Sequence, residues 1–337
     1  MDIQTAIKSM IARQDLSGDD MTSVMRQIMT GECTPSQIGG FLVGLHMKGE
    51  TVDEISAAAK VMRELATRVQ VDTDRLVDTA GTGGDSSGSF NISTASALVA
   101  AAAGARVAKH GNRSMTSKSG SADVLEAAGV KLDIPPEKVA ACINSVGVGF
   151  MFAPAHHGAM KHAIGARKEL AVRTVFNVLG PLTNPAGAPN QVIGVFHADL
   201  VELMANVLKQ LGSRHVMVVH AEDGMDEISI SAPTRVAELK SGEVRCYTLT
   251  PADFGMQTAS VDELRVGSAE ESLAMIRAVF ADSPGPARDI VCLNAGAAIY
   301  VAGCADSLAA GVEAAQAAIS SGKAAEVLQN LVTETNA

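Results

Sequence analysis

Over the first 70 or so residues, apolar positions recur at helical spacing and no strand-like alternation interrupts them. Thr34-Pro35-Ser36-Gln37 sets a capping residue, a first-turn proline and an N3 glutamine ahead of an apolar face of Ile38, Phe41, Leu42 and Leu45. Thr51-Val52-Asp53-Glu54 repeats the capping box before Ile55, Ala59, Met62 and Leu65. None of these side chains is catalytic by type, so the segment predicts a helical scaffold or an oligomer contact.

From about residue 75 the pattern changes to short β-rich runs alternating with helices. Strand-like runs fall at 76–79, 106–108, 146–152, 191–196, 215–220 and 289–293. Helices are expected at 93–103, 121–128, from Pro135-Pro136 through Cys142, at 200–211, and in the alanine-rich C-terminal part. Such alternation predicts an α/β fold with a mainly parallel central sheet flanked by helices. Ligands of these sheets sit at the carboxyl ends of the strands. Residues 153–188 interrupt the alternation. A helix is predicted over 154–168, carrying His156, His157, Lys161, His162, Arg167 and Lys168, with no acid between Lys138 and Lys168. The segment TVFNVLGPLTNPAG then reads as a shaped connector.

Candidate chemistry concentrates between Asp78 and Ala122. After Leu76-Val77 the chain breaks into Gly81-Thr82-Gly83-Gly84-Asp85, then a hydroxyl-rich run of Ser86, Ser87, Ser89, Ser93 and Thr94 leading into a helix. The second strand-like run ends in Lys109-His110-Gly111-Asn112-Arg113-Ser114. Glycines after a strand let the backbone turn and present N–H groups, and a helix start behind them favours an anion. No acid lies between Asp85 and Asp123, whereas Arg106, Lys109, Arg113 and Lys118 do, in a chain of net charge −10. A basic island on an acidic protein fits a small polyanion better than a nucleic-acid backbone. One such loop alone is as well explained by tight turns; two flanking one helix are not.

Composition narrows the classes further. At 337 residues, 47% hydrophobic and 19% charged, the chain is an ordinary globular protein of one large or two unequal domains. No apolar run approaches the ~20 residues of a membrane span. MDIQTAIKSM reads as neither signal nor transit peptide, so a cytoplasmic location is expected. The five cysteines, Cys33, Cys142, Cys246, Cys292 and Cys304, are scattered without a C-x-x-C pair, which speaks against a disulfide framework or zinc knuckle. Aromatic residues make up 3%, too few for a base-stacking surface.

GTGGD, NIST and KHGNRS, in this order and spacing, resemble the anthranilate phosphoribosyltransferase family, whose members join anthranilate to phosphoribosyl pyrophosphate in tryptophan biosynthesis. The resemblance covers nearly the whole chain. It implies a small helical domain, residues 1–70 plus about 155–188, and a larger α/β domain, 71–154 plus 189–337. The site would lie between them and the helical domain would form a homodimer contact. The implied donor site comprises Gly81, Gly84, Asp85, Ser89, Asn91, Ile92, Ser93, Thr94, Lys109, His110, Gly111, Asn112, Arg113, Ser114, Met115, Thr116, Ser117 and Ser121. Ser119 offers a further hydroxyl. Anthranilate would meet Gly81, Asn112 and Arg167, with His110, His157 and Pro181 lining its slot. An arginine can grip a carboxylate through two parallel hydrogen bonds.

Magnesium is the implied cofactor, held by Ser93, Asp226 and Glu227. An adjacent Asp-Glu pair on a strand-end loop suits Mg²⁺, which takes one or two carboxylates, water and substrate phosphates. Three positions depart from the family pattern: Ser89 for threonine, Gly158 for proline and Ala171 for glycine. A pyrimidine nucleoside phosphorylase would share the architecture but lack GTGGD together with KHGNR. A nucleic-acid-binding relative would need a broad basic surface, against a pI of about 5.3. The expected partners are therefore two small-molecule substrates and a second copy of the chain, with no nucleic acid and no membrane.

Overall fold

The computed structural model describes residues 1–85, 87–114 and 119–337. Met115, Thr116 and Ser117, three of the donor-site expectations, and Lys118 of the basic window lie outside the described residues. Four helices open the chain: α1 (Ile3–Ile11), α2 (Gly18–Thr30), α3 (Pro35–Lys48) and α4 (Val52–Leu65). Both predicted capping boxes form. Thr34 and Gln37 close the start of α3, and Thr51 and Glu54 that of α4. Glu54 is fully buried and also accepts from Leu16 N and Lys48 Nζ, both at 2.9 Å, which satisfies its charge.

The alternating part follows as β1 (Leu76–Gly81), α5 (Ile92–Ala102), β2 (Arg106–Gly111), α6 (Ser121–Ala127), α7 (Pro136–Ser145) and β3 (Val148–Phe152). The middle segment supplies α8 (Ala153–His156), α9 (Ile164–Leu170) and α10 (Phe176–Leu179). Then come β4 (Asn190–Gly194), α11 (Leu200–Gln210), β5 (His215–Ala221), β6 (Thr234–Lys240), β7 (Glu243–Leu249), α12 (Ala269–Phe280), α13 (Pro286–Val301), α14 (Leu308–Ser320) and α15 (Lys323–Asn336). The seven strands form one sheet in the order β3-β2-β1-β4-β5-β6-β7. The first five in that order are parallel, and β6 and β7 add an antiparallel hairpin at one edge.

Strand residues alternate between two cores. Val77, Val107, Val192, Met217 and Val219 face α5 and α12 to α15, while Ile193, Val216 and Val218 face α11 and the N-terminal helices. Helix α13 lies inside the first core and crosses α14 at a contact that only small residues permit. A Cβ on Gly311 would stand 2.3 Å from the Gly296 carbonyl oxygen.

Two expectations from patterning fail. Residues 289–293 belong to α13, not to a strand; Ile290 to Leu293 are buried all round, so the run carries no periodicity to tell helix from strand. The predicted helix over 154–168 is broken into α8, a 3-10 turn at Gly158–His162 and α9. His157, at φ −116° and ψ 56°, leaves the helical region and interrupts the ladder.

Candidate active site

The register places the glycines ending β1 and β4 side by side, Gly81 opposite Gly194, at the carboxyl edge of the sheet. Both are glycine for a steric reason. The 226–227 segment crosses these strand ends so closely that a Cβ on Gly194 would lie 1.5 Å from the Asp226 carbonyl oxygen. One on Gly81 would lie 2.5 Å from Asp226 Oδ2. Beyond Gly81 the chain turns through Gly83 (φ +67°) and Gly84 (φ +77°), left-handed conformations that glycine adopts without penalty. Gly83 N donates to Asp226 Oδ2 at 2.9 Å. Thr82 ties the turn to the end of β4, its N–H reaching Gly194 O and its hydroxyl accepting from Phe196 N. Arg173 stacks on Phe196 at 3.7 Å and donates to Gly84 O at 2.7 Å. The glycine turn and the Asp-Glu pair thus form one continuous surface.

Asp226 and Glu227 are costly in this position. Burial first, then the neighbouring Asp85, pushes the Asp226 carboxyl up to about 7. Burial and Asp226 push Glu227 well above the usual carboxylate range. Opposing them is Lys109, 3% exposed, whose Nζ donates to Thr79 O at 2.6 Å and Ser93 Oγ at 3.2 Å. Burial pulls the Lys109 pKa down, and Asp78 and Glu227 hold it up. Two adjacent half-buried carboxyls with Ser93 beside them are a donor set that a hard divalent cation fits. Among the described residues no three His, Cys, Asp or Glu side chains close into a metal cage, which leaves coordination positions for phosphate oxygens and water.

Beneath Lys109, a second buried network braces β2. Asp78 accepts from His110 N at 3.1 Å and Asn184 Nδ2 at 2.7 Å, and burial raises its pKa to about 6. The His110 and His157 rings meet at 5.0 Å, and burial holds both neutral, with pKa values near 3 and 4. The Nε2 atoms of both rings are buried without a protein partner.

The start of α5 is more fully engaged than its sequence implied. Asn91 N donates to Ser272 Oγ, Ile92 N to Phe90 O and Thr94 N to Asn91 O. Ile92 is a core residue, and the Thr94 hydroxyl is buried without a partner. Asn91 Oδ1 gathers Ser119 Oγ at 2.9 Å and Ser272 Oγ at 2.7 Å, pinning the loop before α6 to α12. Ser89 bridges Arg265 and lies 3.0 Å from Ser87. At the end of β2, Gly111 leaves room for Ser121 Oγ, which donates to Asn112 O at 3.3 Å, and Ser114 N donates to Asp123 Oδ2 at 3.0 Å.

Among its described residues, the basic window does not form a cluster. Arg106 opens β2 at the opposite end of the strand, paired with Asp72 at 3.2 Å. Arg113 binds Glu126 at 2.7 Å and Asp123 at 3.2 Å on α6. Among the described residues, Lys109 is the cation of that window that reaches the Asp-Glu pair. Arg167, on α9, stacks over Phe176 at 5.2 Å. Burial alone lowers its pKa, and no carboxylate among the described residues answers its charge.

Sequence reasoning missed Gly194, Asn294 and Asn184. Asn294, 2% exposed on α13, accepts from Ile228 N and donates to Ile228 O, both at 2.9 Å, so it anchors the residue after Glu227. Gly194 carried a usable signal, a glycine closing an apolar run as Gly81 does. The two asparagines carried none.

Residues 4–66 match the family described as glycosyl transferase family, helical bundle domain, and residues 73–325 the glycosyl transferase family, a/b domain. An anthranilate phosphoribosyltransferase of Thioalkalivibrio sulfidiphilus is 69% identical over 335 residues, 99% of each chain. That of Cellvibrio japonicus is 61% identical over 339 residues, again 99% of each. The crystal structure of the Thermus thermophilus enzyme superposes with a TM-score of 0.94 at 45% identity, covering 98% of this chain and 99% of that one. With both domains matched and identity sustained from end to end, the chain belongs to the anthranilate phosphoribosyltransferase family of glycosyltransferases.

Proposed function

We propose that the chain transfers the phosphoribosyl group of phosphoribosyl pyrophosphate to the amine of anthranilate, yielding N-(5-phosphoribosyl)anthranilate and pyrophosphate, a step of tryptophan biosynthesis. The observation that carries this reading is the seating of Asp226-Glu227 against the glycine turn, on a chain 69% identical to a relative of that name. At the anomeric carbon, the bond to the diphosphate oxygen breaks, a bond to the arylamine nitrogen forms, and one amine proton is released. Positioning and charge stabilisation of the departing oxygens dominate such a step.

Gly81, Gly84 and Asp85 hold the pyrophosphate and ribose region, and Lys109 supplies fixed positive charge beneath it. Asn91 with Ser89, Ser93, Ser119 and Ser121 shapes the loop around the terminal phosphate. Mg²⁺, held by Asp226, Glu227 and Ser93, would neutralise diphosphate charge when bound. Arg167 takes the anthranilate carboxylate, supported by the absence of an acidic partner among the described residues. Asn112, His110 and His157 border the acceptor, the histidines as neutral rings.

The same reading assigns residues 1–70 and about 155–188 to a helical domain that pairs two copies of a cytoplasmic enzyme. Ile11 (78% exposed) and Met47 (70%) leave apolar surface on helices of that domain. Among the described residues no helix is long and apolar enough to cross a membrane. The test is loss of anthranilate fluorescence on adding phosphoribosyl pyrophosphate and Mg²⁺, with uracil and adenine as control acceptors. A fluorescence trace that stays flat refutes the assignment.

A further inference from the structure

Behind the Asp-Glu pair, between β1, β4, α5 and α13, a small, partly open cavity leaves about 10 Å³ for the centre of a water molecule. Thr79, Ser93, Ser96, Gly194, Glu227 and Asn294 line it. That is close to the least space one water needs, and a buried water is held where two to four polar groups converge. The polar groups of the wall differ in how they are engaged. Asn294 gives its amide hydrogens to Ile228 O and Ile290 O and accepts from Ile228 N, so it is spent. Thr79 Oγ1 donates to Ser93 O, and Ser93 Oγ accepts from Lys109. Ser96 is the exception: at 1% exposure in mid-helix, its hydroxyl has no protein partner.

The bland alternative, a serine bonding back to its own helix, is not what the chain does here. Thr30, Ser145 and Thr335 all donate to the carbonyl four residues earlier, at 2.8–2.9 Å. The Ser96 hydroxyl makes no such bond. A buried hydroxyl left unpaired is costly, and a water in the cavity would remove that cost.

We propose that this cavity is a one-water site joining the Ser96 hydroxyl to the Glu227 carboxyl, and that Ser96 is thereby a positioning residue for the cation ligand Glu227. The inference rests on the reading of Glu227 as that ligand. Such a water accepts from Ser96, donates to the inner oxygen of Glu227, and fixes the rotation of the carboxyl group so that its other oxygen faces the site. Because metal affinity depends on oriented ligands, loss of this support is felt as weaker cation binding with the acceptor side unaltered.

Three measurements test it: a crystal structure of the wild type at about 1.5 Å, calorimetric Mg²⁺ binding in the presence of pyrophosphate, and steady-state kinetics. Ser96→Ala keeps the helix, alanine being the better helix former. Expected are a single water peak within hydrogen-bond distance of Ser96 Oγ and Glu227, and a three- to tenfold weaker Mg²⁺ affinity in Ser96→Ala with an unchanged KM for anthranilate. A cavity without density overturns the inference. So does a Ser96→Ala protein that titrates with Mg²⁺ like the wild type while Glu227→Gln is shifted. If Glu227→Gln is itself unshifted, the parent reading of Glu227 fails, whatever the cavity holds.

Discussion

Gly194→Ala sets two physical effects against each other with opposite signs. Gly194 closes β4 in ordinary extended conformation, outside the left-handed region. On backbone entropy alone, alanine there should stabilise the fold by about 0.5–1 kcal/mol. The surroundings reverse the sign. The new Cβ would sit 1.5 Å from the Asp226 carbonyl oxygen and 2.3 Å from its carbon, where ordinary contact begins at 3.4 Å. Backbone meets backbone, so no rotamer change relieves the clash, and the 226–227 segment must move off the sheet by roughly the difference. That movement breaks Gly83 N to Asp226 Oδ2 (2.9 Å) and strains Ile228 N to Asn294 Oδ1 (2.9 Å). Overpacking costs about 1–3 kcal/mol. A buried polar group left unpaired adds about 1–3 kcal/mol. Net destabilisation of roughly 2–5 kcal/mol should appear as a lower urea midpoint with unchanged slope. Displacing the carboxyl pair by an ångström or more should also cut kcat roughly a hundredfold and raise the Mg²⁺ requirement. Gly158→Ala serves as control, since nothing lies within 4 Å of the added carbon. A Gly194→Ala protein as stable as the wild type, with the same Mg²⁺ titration, refutes the reasoning.

Other perturbations probe separate parts of the molecule. Arg167→Ala should cost about 1.5–3 kcal/mol of anthranilate binding, the scale of a charged hydrogen bond, read as a raised acceptor KM with donor affinity unchanged. Glu227→Gln should demand much higher Mg²⁺ for activity, and superimposable metal titrations would remove Glu227 from the cation site. Ala171 ends α9 in the left-handed region at φ +52°. Ala171→Gly should therefore raise stability by about 0.5–1 kcal/mol in urea melts. Burial would raise the pKa of Glu238, but hydrogen bonds from His215 (2.7 Å) and Tyr247 (2.8 Å) prevail and hold it near 2. A carboxyl held low in the folded state stabilises above the unfolded pKa of about 4.3 and loses that contribution as pH falls toward 2. Linkage gives about 3 kcal/mol unscreened, and solvent screening leaves about 1–2 kcal/mol. The stability gap between wild type and Glu238→Gln should accordingly be full at pH 6 and shrink to roughly a quarter of that by pH 2.5.

The sequence was most informative where a local rule decides the structure. Capping at Thr34 and Thr51, turning at Gly83 and Gly84, and five of the six strand-like runs are set by neighbouring residues, and each forms in the fold. The 289–293 run was ambiguous because α13 is buried all round, and a uniformly apolar segment looks alike as helix or strand. The antiparallel β6–β7 hairpin was not anticipated from the alternation of strands and helices. Residues whose role is to be touched by a distant segment were beyond local reading. Gly194 matters because of Asp226, and Asn294 because of Ile228. The glycine closing an apolar run was readable at Gly194 but its partner was not, and Asn294 carried no local signal at all.

The basic window shows most clearly how a correct local count can mislead about a site. Counting charge along the chain ignores direction along a strand, and β2 carries Arg106 and Lys109 near opposite ends. Asp72 claims the first, α6 claims Arg113, and Lys109 is held inside against Thr79 and Ser93. Among the described residues, what borders the cleft is then more acidic than basic, with Asp85, Asp226 and Glu227 gathered beside one buried ammonium. A polyanion approaching that surface alone meets repulsion, strong because the groups are shielded from water. A divalent cation changes the sign of the interaction, since it is attracted by the carboxylates and by the diphosphate alike. The glycine turn, the collision-tight seating of Asp226 and the buried lysine therefore fit together with the proposed surface for a phosphate ester and a metal ion.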